Sequence, residues 1–147
     1  MDKLINTDLI VLGLDGETKE DVIRKMASLL ESQGRISNYE EYVKAVLDRE
    51  EVFPTAVGYG VSIPHGKTDA VKQASLAFAR LNNAVKWSDE EDEDAKYVFL
   101  IAVPESEAGN KHLMILADIS RKIMREEFRE KLEQAQTELE VFELLKS

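Results

Sequence analysis

The residues best suited to chemistry lie in the run Gly58-Tyr59-Gly60-Val61-Ser62-Ile63-Pro64-His65-Gly66-Lys67-Thr68. His65 follows a proline at the end of an expected strand and precedes a glycine. Pro64 fixes its own φ and stiffens the approach, and Gly66 leaves the far side sterically open. That pattern presents an imidazole at a strand end rather than packing it in a core. An imidazole with a pKa near ~6.5 is substantially neutral at cytoplasmic pH, so one ring nitrogen is a ready nucleophile. On these residues alone, a loop histidine with no task stands beside that reading.

Two phosphate-loop readings fail on the same run. A P-loop needs Gly, four residues, then Gly-Lys-Ser/Thr. Gly66-Lys67-Thr68 supplies the ending, but the earlier glycine would fall on Val61, and Pro64 removes a cradle amide. The dinucleotide fingerprint that could begin at Gly58-Tyr59-Gly60 meets Ile63 where its third glycine belongs. The second histidine, His112, follows Asn110 and falls in the first turn of an expected helix, where unsatisfied amides and the dipole favour anions. A polar helix start is the plainer reading of Asn110-Lys111-His112. Two histidines without a third ligand make no zinc site, and neither His-Glu-x-x-His nor Gly-x-Ser-x-Gly occurs. Zero cysteines exclude disulfides, thiolate metal sites and thiol catalysis, and fit a reducing compartment.

These residues need elements to hold them. An extended start, Leu9 to Leu14, turns at Asp15-Gly16. From Thr18 the spacing of Val22, Ile23, Met26, Leu29 and Leu30 predicts a helix that Gly34 stops. Ser37-Asn38-Tyr39-Glu40 reads as a capping box with Ser37 at the cap. It opens a second helix with the stripe Tyr39, Tyr42, Val43, Val46 and Leu47, ending near 49–51 ahead of Pro54. Strands are expected within 55–63, over 74–80 and over 97–103, the last an apolar run suited to burial on both faces. Asn110 is expected to cap a long helix striped by Leu113, Leu116, Ala117, Ser120, Ile123 and Met124, with Ile119 partly off the stripe. A continuation carries Phe128 and Leu132. Thr137-Glu138-Leu139-Glu140 opens a terminal helix with Val141, Leu144 and Leu145 inward. Helices first, strands in the middle and helices last read as one layered α/β domain over 1–147.

The chain's 147 residues suit a single domain, and 44% hydrophobic content supports a packed core. Its net charge of −10 disfavours nucleic acid and anionic membrane surfaces as partners. The longest apolar run, 98–103, falls far short of the ~20 residues of a membrane helix. Charges interrupt the N-terminus before any signal-type segment forms, so a cytoplasmic protein is expected. Six acidic residues, 89–94, are consecutive and lack the spacing and glycine of a calcium loop. A solvated surface loop is the expectation there.

Taken in order, Arg49-Glu50-Glu51, Pro54-Thr55-Ala56-Val57-Gly58 and Gly60-Val61-Ser62-Ile63-Pro64-His65-Gly66 resemble the signature of the fructose/mannitol-type (type-2) enzyme IIA domains. These domains serve the bacterial phosphoenolpyruvate-dependent sugar phosphotransferase system. The resemblance continues through Lys111-His112-Leu113-Met114-Ile115-Leu116-Ala117, through Phe128-Arg129-Glu130-Lys131-Leu132, and through the Thr137 to Leu145 ending.

It implies an α/β fold with a central mixed β-sheet flanked by helices, and no cofactor beyond a transient phosphohistidine. His65 would accept a phosphoryl group from the phosphocarrier HPr and pass it to a cysteine of a separate IIB component, serving the membrane IIC component indirectly. Arg49 is implied as a phosphate-binding candidate and His112 as a hydrogen-bonding partner of the imidazole, with Thr55 and Gly66 as further phosphate-contacting candidates. The physics agrees, since phosphoryl transfer needs a positioned acceptor and electrostatic stabilisation, and Arg49 offers a planar fork of donors. Pro54 and Ala56 depart from the usual Ser and Gly of the family, and the acidic run is unusual for its segment. Fructose is the first sugar suggested, with mannitol, galactitol and related hexitols open. A regulatory, nitrogen-type IIA-like protein acting through its phosphorylation state is the alternative. Carboxylates around an apolar face near His65 would meet a basic HPr surface and speed encounter.

Overall fold

The computed structural model describes residues 4–90 and 92–146, apart from the side chains of 107–109, 111 and 112. In chain order the elements are β1 (Ile10–Leu14), α1 (Lys19–Ser32), α2 (Tyr39–Val52), β2 (Ala56–Gly58), β3 (Val61–Ser62), β4 (His65–Lys67), β5 (Ser75–Val85), β6 (Ala95–Val103), α3 (Ala108–Ile123), α4 (Glu126–Gln134) and α5 (Glu138–Lys146).

The six strands form one mixed sheet in the order β1-β5-β6-β3-β2, with β4 also paired to β6. β1 runs parallel to β5, β5 antiparallel to β6, and both β3 and β4 parallel to β6. β3 and β4 lie in line along β6, one pairing through Val61 and Ser62 and the other through His65, Gly66 and Lys67. They read as one strand broken at Ile63-Pro64, where proline offers no ladder N–H. The sheet centre carries the core: Phe78 and Phe99 are cross-strand partners with ring centroids 4.9 Å apart. As the apolar run 98–103 predicts, β6 is buried on both faces. This is the central mixed sheet flanked by helices that the family resemblance implies.

Local signals explain most boundaries. Thr18 caps α1 by accepting the Asp21 amide at 3.1 Å. At its other end Gly34, with φ +70°, closes a Schellman motif: Arg35 N–H reaches Leu30 O and Gly34 N–H reaches Glu31 O. Asn38, not Ser37, caps α2, accepting the Glu41 amide at 3.0 Å, while the Ser37 hydroxyl donates to Ala70 O. An amide oxygen caps at least as well as a hydroxyl, and Ser37 has a tertiary acceptor instead. The expected strand within 55–63 is a β2–β3 hairpin turning through Gly58, Tyr59 and Gly60, all at positive φ. Tyr59 is the costly member, and the Arg129 guanidinium lies 3.9 Å over its ring.

The C-terminal helices correct three expectations. α3 begins at Ala108, so Asn110 lies inside its first turn rather than capping it. Its buried stripe is Ile115, Ile119 and Ile123, whereas Leu113 and Met124 are 64% and 68% exposed. The apolar run 113–117 fits two helical phases, and packing selects the one centred on Ile119. The stretch carrying Phe128 and Leu132 is a separate helix, α4, with both residues buried.

Candidate functional site

His65 is the first residue of β4 and is only 8% exposed. Its Nδ1 lies 3.0 Å from the carbonyl oxygen of Ile63. A carbonyl can only accept, so Nδ1 carries the proton and the lone pair sits on Nε2. Burial pushes the imidazole pKa below its ordinary 6.5, against the Ile63 bond, which favours the charged ring. Arg49 and Lys67 add to the depression and Glu50 opposes it. The result is a neutral imidazole with a defined tautomer.

Gly66 has a different task from the one its sequence position suggests. A Cβ built there would lie 2.8 Å from Val46 Cγ2 and 3.1 Å from Tyr42 Cε1. The far side of the histidine strand is therefore filled by α2, not open, and glycine is what lets helix and strand approach. The Tyr42 hydroxyl completes the attachment, donating to Ile101 O at 2.8 Å on the neighbouring strand.

This packing brings the C-terminal turn of α2 to the site. Arg49 is half-buried, its charge acts on His65, and one Nη1 donates to Phe53 O at 2.8 Å. Thr55 is buried too, but its hydroxyl proton goes to Glu50, so as it stands the hydroxyl offers a phosphate no donor. Glu50 is the residue that sequence reasoning left without a role. It is 4% exposed and accepts from the Thr55 amide (3.2 Å), the Thr55 hydroxyl, Trp87 Nε1 (3.1 Å) and Lys19 Nζ (3.3 Å). The signal was present: Val43, Val46 and Glu50 share the inward face of α2, and a carboxylate on an apolar stripe demands partners.

Other expectations fall elsewhere. His112 belongs to α3, and its side chain lies outside the described residues. Gly66-Lys67 is a strand and Thr68 bonds Val103 O and Glu41, so no phosphate-cradling loop opens a helix there. In the acidic run, Glu91 lies outside the described residues; the other members are exposed, and Asp89 pairs with Lys86 at 2.8 Å. Among the described residues no cluster of three metal-ligating side chains occurs, and no helix is long and apolar enough to cross a membrane.

Residues 3–147 match the family model described as phosphoenolpyruvate-dependent sugar phosphotransferase system, EIIA 2. The chain is 38% identical over 138 residues to the fructose-specific EIIA component of Haloferax volcanii, covering 94% of this chain and 89% of that one. It also matches longer EIIABC components, of which it spans 22%. Among solved structures, the nitrogen regulatory protein IIA-Ntr of Neisseria meningitidis superposes with a TM-score of 0.89 at 28% identity, covering 98% of this chain and 97% of that one. Enzyme IIAMTL in its complex with phosphorylated enzyme IIBMTL from Escherichia coli gives 0.82 at 30%, with 96% of each chain covered. The chain belongs to the EIIA 2 family of the sugar phosphotransferase system and is a phosphotransferase component.

Proposed function

We propose that His65 of this phosphoryl carrier takes a phosphoryl group from phospho-HPr and passes it to a cysteine of a separate IIB component. Residues 1–147 act as one EIIA unit, in the cytoplasm, during uptake of a sugar. The observation that carries the proposal is the bond from Nδ1–H to Ile63 O, which directs the lone pair to Nε2. In the transfer, Nε2 forms a bond to phosphorus as the donor's P–N bond breaks, and the donor imidazole leaves with that electron pair. The Nδ1 proton stays where Ile63 holds it. Arg49 supports the oxygens of the transferring group, for which electrostatic stabilisation is the main requirement.

The partner-facing surface is the turn after α2 and the β2–β3 hairpin. Val52, Phe53, Val57 and Tyr59 are exposed there at 79%, 59%, 44% and 44%. An apolar patch beside a reactive group suits a transient protein partner. The similarity to the Haloferax fructose-specific component supports fructose as the sugar.

Incubation with phosphoenolpyruvate, enzyme I and HPr is expected to give an acid-labile phosphoprotein, and His65→Ala to abolish it. Label that survives the substitution would overturn the assignment. The regulatory alternative is favoured by one observation, the 0.89 superposition on IIA-Ntr. Sugar-dependent turnover with a purified IIB component supports transport; a phosphoprotein that cannot pass its group on supports regulation.

A further inference from the structure

Four donors on one buried carboxylate are more than the packing of α2 needs. The Glu50 bonds continue toward the reactive ring in unbroken sequence. Thr55 gives Glu50 both its amide and its hydroxyl. The Thr55 carbonyl accepts the Ile63 amide at 3.0 Å. The Ile63 carbonyl accepts Nδ1–H of His65 at 3.0 Å. Three residues, 50, 55 and 63, from a helix end, a turn and a strand end, are thus linked one to the next and finish on the imidazole. Lys19 from α1 and Trp87 from the β5–β6 connection hold the carboxylate from other sides, so its position is set by four segments of the fold.

We propose that Glu50 is a positioning residue: it fixes Thr55, Thr55 fixes Ile63, and Ile63 fixes the tautomer and orientation of His65. The inference rests on His65 being the phosphoryl acceptor for its functional meaning, but not for its geometry. Beside the direct effect of its charge on the ring, Glu50 acts on the orientation of the imidazole through two intervening residues, Thr55 and Ile63. Charge-assisted bonds to a buried carboxylate are the strong kind, and a satisfied buried network rigidifies what it holds. The chain of bonds also explains what a carboxylate does on the inward face of α2 beside Val43 and Val46. An apolar side chain there would leave the Thr55 amide and the Trp87 indole N–H without their partner.

The test is nitrogen-detected NMR of the His65 ring in the full chain, together with the kinetics of phosphoryl acceptance from HPr. The wild-type ring is expected as one tautomer, protonated at Nδ1. Glu50→Ala is expected to give a mixture of tautomers and to slow acceptance by about 10- to 100-fold, the scale of a displaced reacting group. The HPr concentration for half-saturation stays unchanged. Glu50→Gln keeps an acceptor for the Thr55 amide and is expected to restore the single tautomer and most of the rate. A purely structural role would lower thermal stability in both variants without touching the tautomer.

If Glu50→Ala fails to fold, Glu50→Met, which fills the same space without offering the Thr55 amide an acceptor, is read in the same way. A folded Glu50→Ala or Glu50→Met protein with one Nδ1–H tautomer and wild-type acceptance overturns the inference and leaves the phosphotransfer reading intact. A mixed tautomer in a protein whose wild type takes no phosphate upholds the positioning and removes the phosphotransfer reading.

Discussion

Charged side chains are set against the main chain in two regions, and they satisfy opposite halves of it. Around His65 the buried charge is an anion: Glu50 collects N–H and O–H donors from Thr55, Trp87 and Lys19, while the half-buried Arg49 beside it gives one donor to Phe53 O. At the C-terminal helices the charges are cations collecting carbonyls. Arg129 donates to Ile123 O at the end of α3 (2.6 Å). Arg80 donates to Leu132 O, Glu133 O and Ala135 O around the end of α4, the last at 2.7 Å. Buried Lys122 donates to Leu145 O near the end of α5 and pairs with Asp118 at 3.0 Å. Each cation meets orphan carbonyls at the negative end of a helix dipole, and Arg129 also lies over the Tyr59 ring of the β2–β3 hairpin. The bonds on Glu50 lead onward, through Thr55 and Ile63, to the His65 ring. The same charge-assisted chemistry finishes an architecture in one region and leads to a buried imidazole in the other.

That contrast is broken or sharpened by where a substitution shows its effect. Arg49→Ala removes the fork at the site and is expected to slow phosphoryl acceptance by about 10²- to 10³-fold, as loss of one transition-state donor does. The thermal midpoint is expected to move little; a large drop in stability with unchanged kinetics per folded molecule would put Arg49 in the other class. Arg80→Ala strips three carbonyls of a charged donor and is expected to cost about 1–3 kcal/mol in denaturant unfolding. Phosphorylation of the folded protein is expected at the wild-type rate, and slowed acceptance would show that the two regions are coupled.

The smallest effect concerns His65 itself. Its folded pKa lies below the ordinary 6.5, so between those values the unfolded chain binds the extra proton. Its contribution to stability is therefore complete above the unfolded pKa and is lost as pH falls through the folded one. An NMR titration of the ring should give a midpoint below 6.5, with acceptance of phosphate following the neutral fraction. A midpoint at or above 6.5 would show that Glu50 and the Ile63 bond outweigh burial.

The sequence made the Pro64-His65 step and most elements legible, because both are written locally. Thr18, Gly34, Pro54 and Thr137 mark helix ends by their own chemistry, and Pro64-His65 stands out in any window. What it hid depends on neighbours far along the chain. Gly66 looked like open space, since nothing nearby in sequence shows that Val46 and Tyr42 press against it. Ser37 looked like a cap until its acceptor proved to be Ala70, thirty-three positions away. The phase of α3 was ambiguous because consecutive apolar residues satisfy more than one stripe. Glu50 was visible as a charge on an inward face, but its donors come from Lys19, Thr55 and Trp87, and only folding brings them together.

The break at Ile63-Pro64 has a consequence for how the sheet ends. Ile63 gives its N–H to Thr55, so its carbonyl faces the same side, away from β6. β2 begins only at Ala56, and β4 has β6 as its single strand partner among the described residues. The carbonyl of Ile63 therefore sits at an unpaired strand margin, the kind of group that invites another chain to add itself. The His65 ring caps that margin through Nδ1. With the phosphoryl group on Nε2, as proposed, the cap would stay in place through every cycle, and one side chain would both guard the border of the sheet and do business across it.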